Sequence, residues 1–378
     1  MRRAGWVSVT ALAALSLAAC ATPQEHGPNP PGYPSPQRPT AKPPPRPSRP
    51  PEPPRRIELS ALPGWALEDH DAGFAAWRVT CGVARDPGMA ALCTRARSVS
   101  IVAPGDGRVF LERAFVAERV PGEGVLTAYF APVYPARRRP DAEFSAPVRP
   151  KPADLVVAAG GEVLRVKPDG TAEAYPDRTA IEAAPEVAPL AWMRPEELFF
   201  LQVQGSGVLV FEEGRRLKAL YAAHNGRPFA GIANPMRDRG LLARDNTSGD
   251  AIRAWLAGHR GPEADEVMRL NPRYAFFRLA PDDGKPPQGA AGLPLPAGRA
   301  VAVDPTAHTY GELLWIDGEA PLLAGAFPAY RRLVTALDTG GAIKGEVRAD
   351  LYLGQGDAAG AEAGRVRHTL SMWRLVPR

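Results

Sequence analysis

The sequence is poor in the residue types on which metal and nucleophile chemistry most often depend. Of its 378 residues, six are histidine and three are cysteine, and five of the histidines are scattered through the chain beyond His26. HExxH, Walker, GxSxG and CxxC patterns are absent, and no GxGxxG follows a predicted strand. We therefore expect neither a metal ion nor a cofactor.

Long apolar runs are also lacking. The one extended run, residues 6–19, follows Arg2 and Arg3 and is too short for a flanked transmembrane helix. A basic start followed by a short apolar stretch is typical of a secretory signal. We predict that residues 1–20 are a signal peptide.

The end of that run resembles the lipobox of bacterial lipoproteins. It reads Leu-Ala-Ala-Cys at 17–20 and predicts lipidation at Cys20; an ordinary signal peptide with a coincidental cysteine is the alternative. Several acyl chains anchor a protein stably. Ala21 follows in place of Asp, and by resemblance to sorted lipoproteins this favours the outer membrane over retention at the inner membrane. We therefore expect the protein on the periplasmic face of the outer membrane, with the lipid anchor at Cys20.

Proline is the one residue type in clear excess. The chain has 43 prolines, and 15 of them lie between Pro23 and Pro54. Such a segment favours extended polyproline II, so we interpret 21–56 as a tether that reaches on the order of 110 Å at ~3.1 Å per residue. A ligand for a proline-binding partner is the alternative.

The basic net charge does not lie on the predicted folded part. The formal charge is +5 with a pI of about 9.2. Arg2 and Arg3 carry two of these charges and the tether four, so 57–378 has a net charge of about −1. Net charge therefore gives no support to nucleic-acid binding.

Two cysteines remain beyond the lipobox. Cys81 and Cys93 form an even pair in a chain predicted to be exported, so a local disulfide is one interpretation. Two buried free thiols are the other.

Short apolar runs bounded by Gly and Pro dominate from Val109 onward and predict strands. Helical character is expected within 65–102 and over Asp250–His259 and Glu263–Leu270, with Thr247 and Ser248 as caps. We predict a mainly β fold with a few helices, whose strands lie within 124–134, 155–168, 198–214, 298–305, 312–325 and 331–341.

A candidate catalytic carboxylate lies near the C-terminus. From Val347 to Leu353 apolar and polar residues alternate, which places Asp350 on the face opposite the core, with Arg348 and Tyr352. A carboxylate on a rigid strand beside an aromatic suits general acid–base work on a sugar. A solvent-facing strand aspartate is the bland alternative.

Other polar motifs have turn interpretations. Asp338 before Thr-Gly-Gly and Asp304 before Pro are typical turn formers. Residues 204–207, Gln-Gly-Ser-Gly, predict a hairpin turn or a place where glycine lets backbone approach a ligand closely.

Six pieces of the sequence follow one another in a recognisable order: LTAYFAPVY at 126–134, FFLQVQGSG at 199–207, YAAHNGRPF at 221–229, NPRYAFF at 271–277, AVDP at 302–305 and DTGGAIKGEVRADLYLGQGDAAGAEAG at 338–364. With these pieces in this order, the chain resembles the membrane-bound lytic murein transglycosylase A family. The stretch 57–123 matches loosely, and residues 128, 130 and 306–311 depart from the family pattern.

The resemblance implies a six-stranded double-psi β-barrel domain built from 57–130 and 284–378. A second, smaller β-barrel domain, 131–283, is inserted between these halves, and the glycan groove lies between the two domains. It also implies that Asp350 is catalytic. The implied substrate-binding residues are Thr127, Tyr129, Gln204, Gly205, Ser206, Asp338 and Tyr352.

Two further residues have implied supporting roles. Asp304 belongs to the three-aspartate segment, and Lys344 either orients Asp338 or is a surface charge. The implied reaction cleaves the β-1,4 bond between N-acetylmuramic acid and N-acetylglucosamine in peptidoglycan and leaves 1,6-anhydromuramic acid ends.

The implied partners are glycan strands and the outer membrane, with wall-synthesis proteins as further candidates. Two other functions stay open on the sequence. One is an inactive tethered wall-scaffold lipoprotein that binds peptidoglycan. The other is a hydrolytic glycosidase, which needs a second carboxylate facing the first.

Overall fold

The structure, a computed structural model, describes residues 55–99, 103–185 and 188–378. The predicted signal peptide, the lipidation site Cys20 and the tether as far as residue 54 lie outside these residues. Arg56, which the sequence assigned to the tether, begins the first strand and pairs with Glu118. The described residues fall within one compact unit.

Strands carry most of the regular structure of the described residues, as predicted. In chain order they are β1 Arg56–Ile57, β2 Phe115–Arg119, β3 Gly124–Ala131, β4 Val133–Ala136, β5 Ala146–Val148, β6 Leu155–Val157, β7 Val163–Val166, β8 Ala172–Ala174, β9 Ala191–Met193, β10 Ser206–Phe211, β11 Arg216–His224, β12 Ala275–Pro281, β13 Ala300–Ala302, β14 Leu313–Pro321, β15 Tyr330–Asp338, β16 Arg348–Gln355 and β17 Arg367–Pro377.

Helices are shorter and lie mostly between strands. They are α1 His70–Thr80, α2 Pro87–Ser98, α3 Asp106–Ala114, α4 Arg178–Ala183, α5 Pro195–Gln204, α6 Ala233–Asp238, α7 Gly249–Gly258, α8 Pro262–Arg269 and α9 Asp357–Ala363, with 3-10 turns at Leu59–Ala61, Trp65–Leu67 and Cys81–Val83. The prediction of a mainly β fold with few helices is confirmed.

Strands from the two ends of the described chain form one sheet. Its order is β1-β2-β17-β14-β15-β13-β16-β3, and β3 also pairs with β17. Because β3 pairs with both β16 and β17, the six strands β3, β16, β13, β15, β14 and β17 close into a ring. This closed sheet agrees with the predicted six-stranded barrel.

Alternating apolar residues fill the inside of this ring. Ala349 and Leu351 of β16 are fully buried, and they belong to one core cluster with Val301 of β13 and Leu314 of β14. Since successive side chains of a strand point to opposite faces, burial of Ala349 and Leu351 turns Asp350 to the other face. The predicted alternation therefore holds at the candidate catalytic residue.

The middle of the chain forms separate sheets. A four-stranded sheet has the order β12-β11-β10-β4, and β5–β9 and β6-β7-β8 form smaller ones. Helices α5, α7 and α8 contribute Leu201, Leu256 and Val267 to the core behind the larger sheet. As predicted, Ser248 caps α7, and its side chain accepts a hydrogen bond from the Ala251 N–H.

The N-terminal helices pack against the closed sheet. Phe74 and Trp77 of α1 are completely buried in a cluster that also contains Trp315 of β14. In the same cluster, a disulfide joins Cys81 to Cys93 of α2. Of the two interpretations of this cysteine pair, the structure contains the bonded one.

One strand prediction is wrong. Within 198–214, residues 198–204 belong to helix α5, and β10 begins only at Ser206. The helix starts with Pro195 at its first turn and has Glu196 and Glu197 there, which favours a helix N-terminus. Four consecutive apolar residues, Leu198 to Leu201, follow and are all buried, so this stretch lacks the alternation of apolar and polar residues that distinguishes a surface helix from a strand.

Within the described ranges, no helix combines the length and the apolar character needed to cross a bilayer.

Candidate functional site

The candidate site is built on neighbouring strands of the closed sheet. Parallel pairing of β16 with β3 sets Asp350 beside Thr127 and Tyr352 beside Tyr129. On the other side of β16, Asp350 pairs with Ala302 of β13. Ala302 in turn pairs with Asp338 at the end of β15, so two aspartates flank one strand.

The carboxyl group of Asp350 is half-buried and hydrogen-bonded. The hydroxyl of Thr127 donates to its Oδ1, and Arg348 Nη2 donates to the same Thr127 Oγ1 at 2.9 Å. Burial raises the pKa of Asp350, and the negative charge of Asp338 adds to this rise. The Thr127 hydrogen bond and the Arg348 cation oppose the rise without cancelling it.

Asp338 is held by three donors on its two oxygens. Its Oδ2 accepts from the Tyr129 hydroxyl at 2.7 Å, and its Oδ1 accepts from the N–H groups of Ala290 and Thr339 at 2.9 Å each. Burial nevertheless raises the pKa of Asp338. These hydrogen bonds fix the Asp338 carboxyl firmly on the far side of β13 from Asp350.

Asp304, the third aspartate, is a turn former, as its local sequence predicted. Its Oδ1 accepts from the Thr306 N–H and hydroxyl at 3.1 and 2.8 Å, and its Oδ2 accepts from the Gly345 N–H at 2.8 Å. The Gly345 hydrogen bond is the main cause that lowers the pKa of Asp304. Asp304 therefore ties the end of β13 to the loop that leads into β16.

Lys344 lies on this loop, and its side chain is exposed. Its Nζ is 3.9 Å from Asp304 Oδ1, so its acidic neighbour is Asp304. The interpretation in which Lys344 orients Asp338 does not match this placement, whereas the interpretation as a surface charge does. Since the chain turns sharply at Gly345, with φ +105°, the pairing of Lys344 could not be predicted from spacing.

Gln204 connects helix α5 to the strand that carries Thr127. Its Oε1 accepts from the Phe130 N–H at 3.1 Å. Gly205 follows with φ +82° and ends the helix, and Ser206 begins β10, so the motif is a helix-to-strand junction and not a hairpin turn. At Gly207 the backbone lies close to another part of the same chain, since a Cβ there would be 2.8 Å from the Pro132 carbonyl oxygen. The approach of this backbone to a ligand stays a prediction.

The two tyrosines pack on each other. The centroids of the Tyr129 and Tyr352 rings are 5.3 Å apart. Tyr352 is only 2% exposed and packs with Leu295 and Leu337. Because these residues, distant in sequence, cover the Tyr352 ring, its placement does not match a sugar-facing role. Tyr129 is half-buried, and its hydroxyl donates a hydrogen bond to Asp338.

His308 is a residue to which sequence reasoning assigned no role. It is buried, with Nδ1 2.8 Å from Glu312 Oε2 and Nε2 2.7 Å from the Glu346 carbonyl oxygen. It lies in the 306–311 loop that departs from the family pattern. Through His308, this loop holds the segment that precedes β16. The departure of residues 306–311 from the family pattern was the one feature of the sequence that could have pointed to a role for His308.

Metal ligation has no candidate in the part of the chain that the structure describes, where no three His, Cys, Asp or Glu side chains are grouped to hold an ion. A cavity of about 680 Å³ opens beside the site, and Thr127 and Arg348 are among its lining residues. The arrangement combines a half-buried acid, a fixed neighbouring carboxyl and an open space.

This geometry can be compared with known proteins. Two family models match the chain: the MltA specific insert domain at residues 125–278 and the 3D domain at 299–376. Together they define a class of proteins that combines an MltA specific insert domain with a C-terminal 3D domain.

Two curated relatives match the chain and agree with these family models. Membrane-bound lytic murein transglycosylase A of Vibrio cholerae is 32% identical over 265 residues, with 67% of this chain and 66% of the relative covered. The Escherichia coli K12 protein of the same name is 33% identical over 260 residues, with the same coverages. The chain thus spans just under two thirds of the length of these relatives.

Solved structures extend the match. A membrane-bound lytic murein transglycosylase from Agrobacterium tumefaciens has a TM-score of 0.77 and 31% identity, over 85% of this chain and 97% of that chain. E. coli MltA with bound chitohexaose has a TM-score of 0.62 and 26% identity, over 87% and 93%. The chain belongs to the membrane-bound lytic murein transglycosylase A family, which confirms the family predicted from the motifs.

Proposed function

We propose that this protein is a lytic transglycosylase of peptidoglycan, with Asp350 as its catalytic acid and base. The observation that carries the proposal is the environment of Asp350: a half-buried carboxyl on a rigid strand, beside an open cavity and with a raised pKa. A raised pKa keeps more of the carboxyl protonated near neutral pH, as a general acid requires.

One carboxyl group can serve both steps of the reaction. Asp350 donates its proton to the oxygen between muramic acid and glucosamine, and the bond from that oxygen to muramic C1 breaks with its electron pair on the oxygen. The Asp350 carboxylate then takes the proton of the muramic C6 hydroxyl, whose oxygen bonds to C1. No water is consumed, and the acid returns to its starting state.

Asp338 supports this acid. Its carboxyl lies near enough to raise the pKa of Asp350, and its own oxygens accept from Tyr129, Ala290 and Thr339. A carboxylate occupied in this way is poorly suited to activating water, which favours the non-hydrolytic reaction over the hydrolytic one.

Substrate contacts are proposed on both sides of the groove. Thr127 and Tyr129 lie beside Asp350 on β3, and Gln204, Gly205 and Ser206 approach β3 from the α5–β10 junction. The proposed division into a barrel domain, 57–130 and 284–378, and an inserted domain, 131–283, is supported by the separate sheets of the two parts.

The decisive experiment digests purified sacculi with the full chain in detergent and with Asp350→Asn. We expect soluble fragments with anhydromuramic ends, and a loss of turnover of about 10²- to 10⁴-fold in the variant. Reducing ends without the anhydro mass would show hydrolysis. Binding of sacculi without fragment release would favour the wall-scaffold function, and unchanged turnover in the variant would remove Asp350 from the mechanism.

A lipid anchor at Cys20 is proposed from the lipobox-like sequence. The +4 charge of the tether beside that anchor suits an anionic membrane or wall surface. Metabolic labelling with a fatty acid should mark the parent protein and not Cys20→Ala; equal labelling of both would contradict the anchor.

A further inference from the structure

The cavity beside Asp350 has a charged lining and, apart from Arg348, the proposed reaction does not use these charges. It lies along β3, the loop before β16 and the start of β17, and its volume is about 680 Å³. Its charged lining residues are Glu123, Lys344, Glu346, Arg348 and Arg367. Three cations against two carboxylates leave the lining with a net positive charge.

Strand pairing explains why the cations lie so close to the site. Thr127 pairs with Asp350 on one side of β3 and with Arg367 on the other. Thr127 lines the cavity and also donates to Asp350, so the cavity begins where the acid's hydrogen-bond partner stands.

The two arginines differ in how they are held. Arg348 donates to Thr127 Oγ1 and to the carbonyl oxygens of Val125 and Ala349, which fixes its guanidinium. Arg367 is exposed and makes no ion pair with another residue of the described ranges. Burial is the main cause that lowers the pKa of Arg348, and the nearby charge of Arg367 lowers it further, so the two guanidinium groups repel each other. An anion between them would relieve this repulsion.

The chemistry of the substrate supplies such an anion. This step rests on the proposed function, in which the muramic residue lies at Asp350. In the cell wall, the lactyl group of muramic acid carries a short acidic peptide. Because that group is attached to the same sugar ring as the bond being cleaved, the peptide must leave the site through space adjoining Asp350.

We propose that the cavity binds the acidic peptide of the muramic residue, with Arg367 and Lys344 pairing with peptide carboxylates. A guanidinium matches a carboxylate in a bidentate manner, and an exposed ammonium adds a mobile second charge. Glu123 and Glu346 can pair with an ammonium group on the same peptide. The enzyme therefore prefers glycan strands that carry peptides to strands that do not.

The test compares two substrates with the full chain in detergent: glycan strands with their peptides, and the same strands after an amidase has removed them. The readout is kcat/KM for the release of anhydromuramic ends. The parent protein should prefer the peptide-bearing strands. Arg367→Gln should reduce that preference about fivefold, mainly through KM, which is what one solvent-exposed ion pair contributes.

Two further variants make the result specific. Arg365→Gln is the matched control, because Arg365 is also exposed and two residues away, where its Nε donates to the Ala361 carbonyl oxygen. It should keep the preference. Lys344→Gln changes an exposed side chain and should also weaken the preference, which covers the case in which Arg367→Gln fails to fold.

The proposal is overturned if the parent protein turns over both strand types equally, or if Arg367→Gln lowers both values by the same factor. Failure of the proposed function is a different result, in which the parent protein releases anhydro ends from neither substrate. Equilibrium binding of the two strand types to Asp350→Asn, with and without Arg367→Gln, would then still test whether the cavity binds the peptide. Equal affinities for the two strand types would refute peptide binding. A higher affinity for the peptide-bearing strands that Arg367→Gln removes would support it.

Discussion

At the residue scale, the chemistry of the site depends on opposing effects on one carboxyl. Burial and the charge of Asp338 raise the pKa of Asp350, whereas Thr127 and Arg348 lower it. A hydrogen bond to the ionised form favours that form, so each donor around Asp350 moves its titration in a known direction. When one of these contacts is removed by substitution, the change in the pH dependence of the reaction therefore shows how that contact affects the pKa of Asp350.

Thr127→Val should move the alkaline limb of the pH–rate profile to higher pH. The variant removes the donor that stabilises the Asp350 carboxylate, so the pKa of Asp350 rises and the acid stays protonated further. The measurement is kcat against pH on sacculi. Thr94→Val is the control, since the Thr94 hydroxyl donates within its own helix to the Ala90 carbonyl oxygen at 3.1 Å. A limb that moves to lower pH would contradict the prediction.

At the element scale, the site depends on the register between β3 and β16. The pairing of Thr127 with Asp350 continues back to Val125 with Arg348. Just before this, the strands approach so closely that a Cβ on Gly124 would lie 1.5 Å from the Val347 carbonyl oxygen. Glycine is required there because backbone cannot move aside as a flexible side chain does.

Gly124→Ala should therefore destabilise the protein by about 3 kcal/mol, the upper end of the usual cost of overpacking, and lower activity. Urea unfolding monitored by tryptophan fluorescence measures the free energy of unfolding. Gly258→Ala is the matched control, because a Cβ on Gly258 meets open space at the end of α7. Parental stability in Gly124→Ala would show that β3 and β16 separate at little cost.

At the scale of the whole molecule, activity and stability oppose each other. Burial raises the pKa of Asp350 above its unfolded value, so the folded state holds this proton more tightly. The stability that this group contributes is full below its unfolded pKa of ~3.9. It is lost as the pH rises through the folded pKa. The catalytic acid therefore costs stability at neutral pH.

Asp350→Asn should raise the Tm at pH 7 and should have little effect near pH 3. Asp304→Asn should do the opposite at pH 7 and lower the Tm, because hydrogen bonds from Gly345 and Thr306 lower the pKa of Asp304 and stabilise its charged form. Thermal unfolding of both variants across this pH range is the measurement. The same sign for both at pH 7 would contradict the prediction.

Local sequence patterns predicted those features that depend on neighbours along the chain. Alternation around Asp350 predicted its face, and Ser248 predicted the start of α7. The pattern at 198–204 failed, since a run of four buried apolar residues, Leu198 to Leu201, fits a buried strand as well as a buried helix. The burial of Tyr352 was missed, because Leu295 and Leu337, which cover it, come from other parts of the chain.

By itself, the sequence determined the family, the mainly β class, the candidate acid and the charge and proline content of the tether, since these follow from residue identity, motif order and short-range periodicity. Tertiary structure decided which side chains share the site. Closure of the sheet through β3 brings Thr127 between Asp350 and Arg367. It also sets Lys344 beside Asp304, and Gln204 against β3. These contacts join residues far apart in the chain, so only long-range strand pairing specifies them.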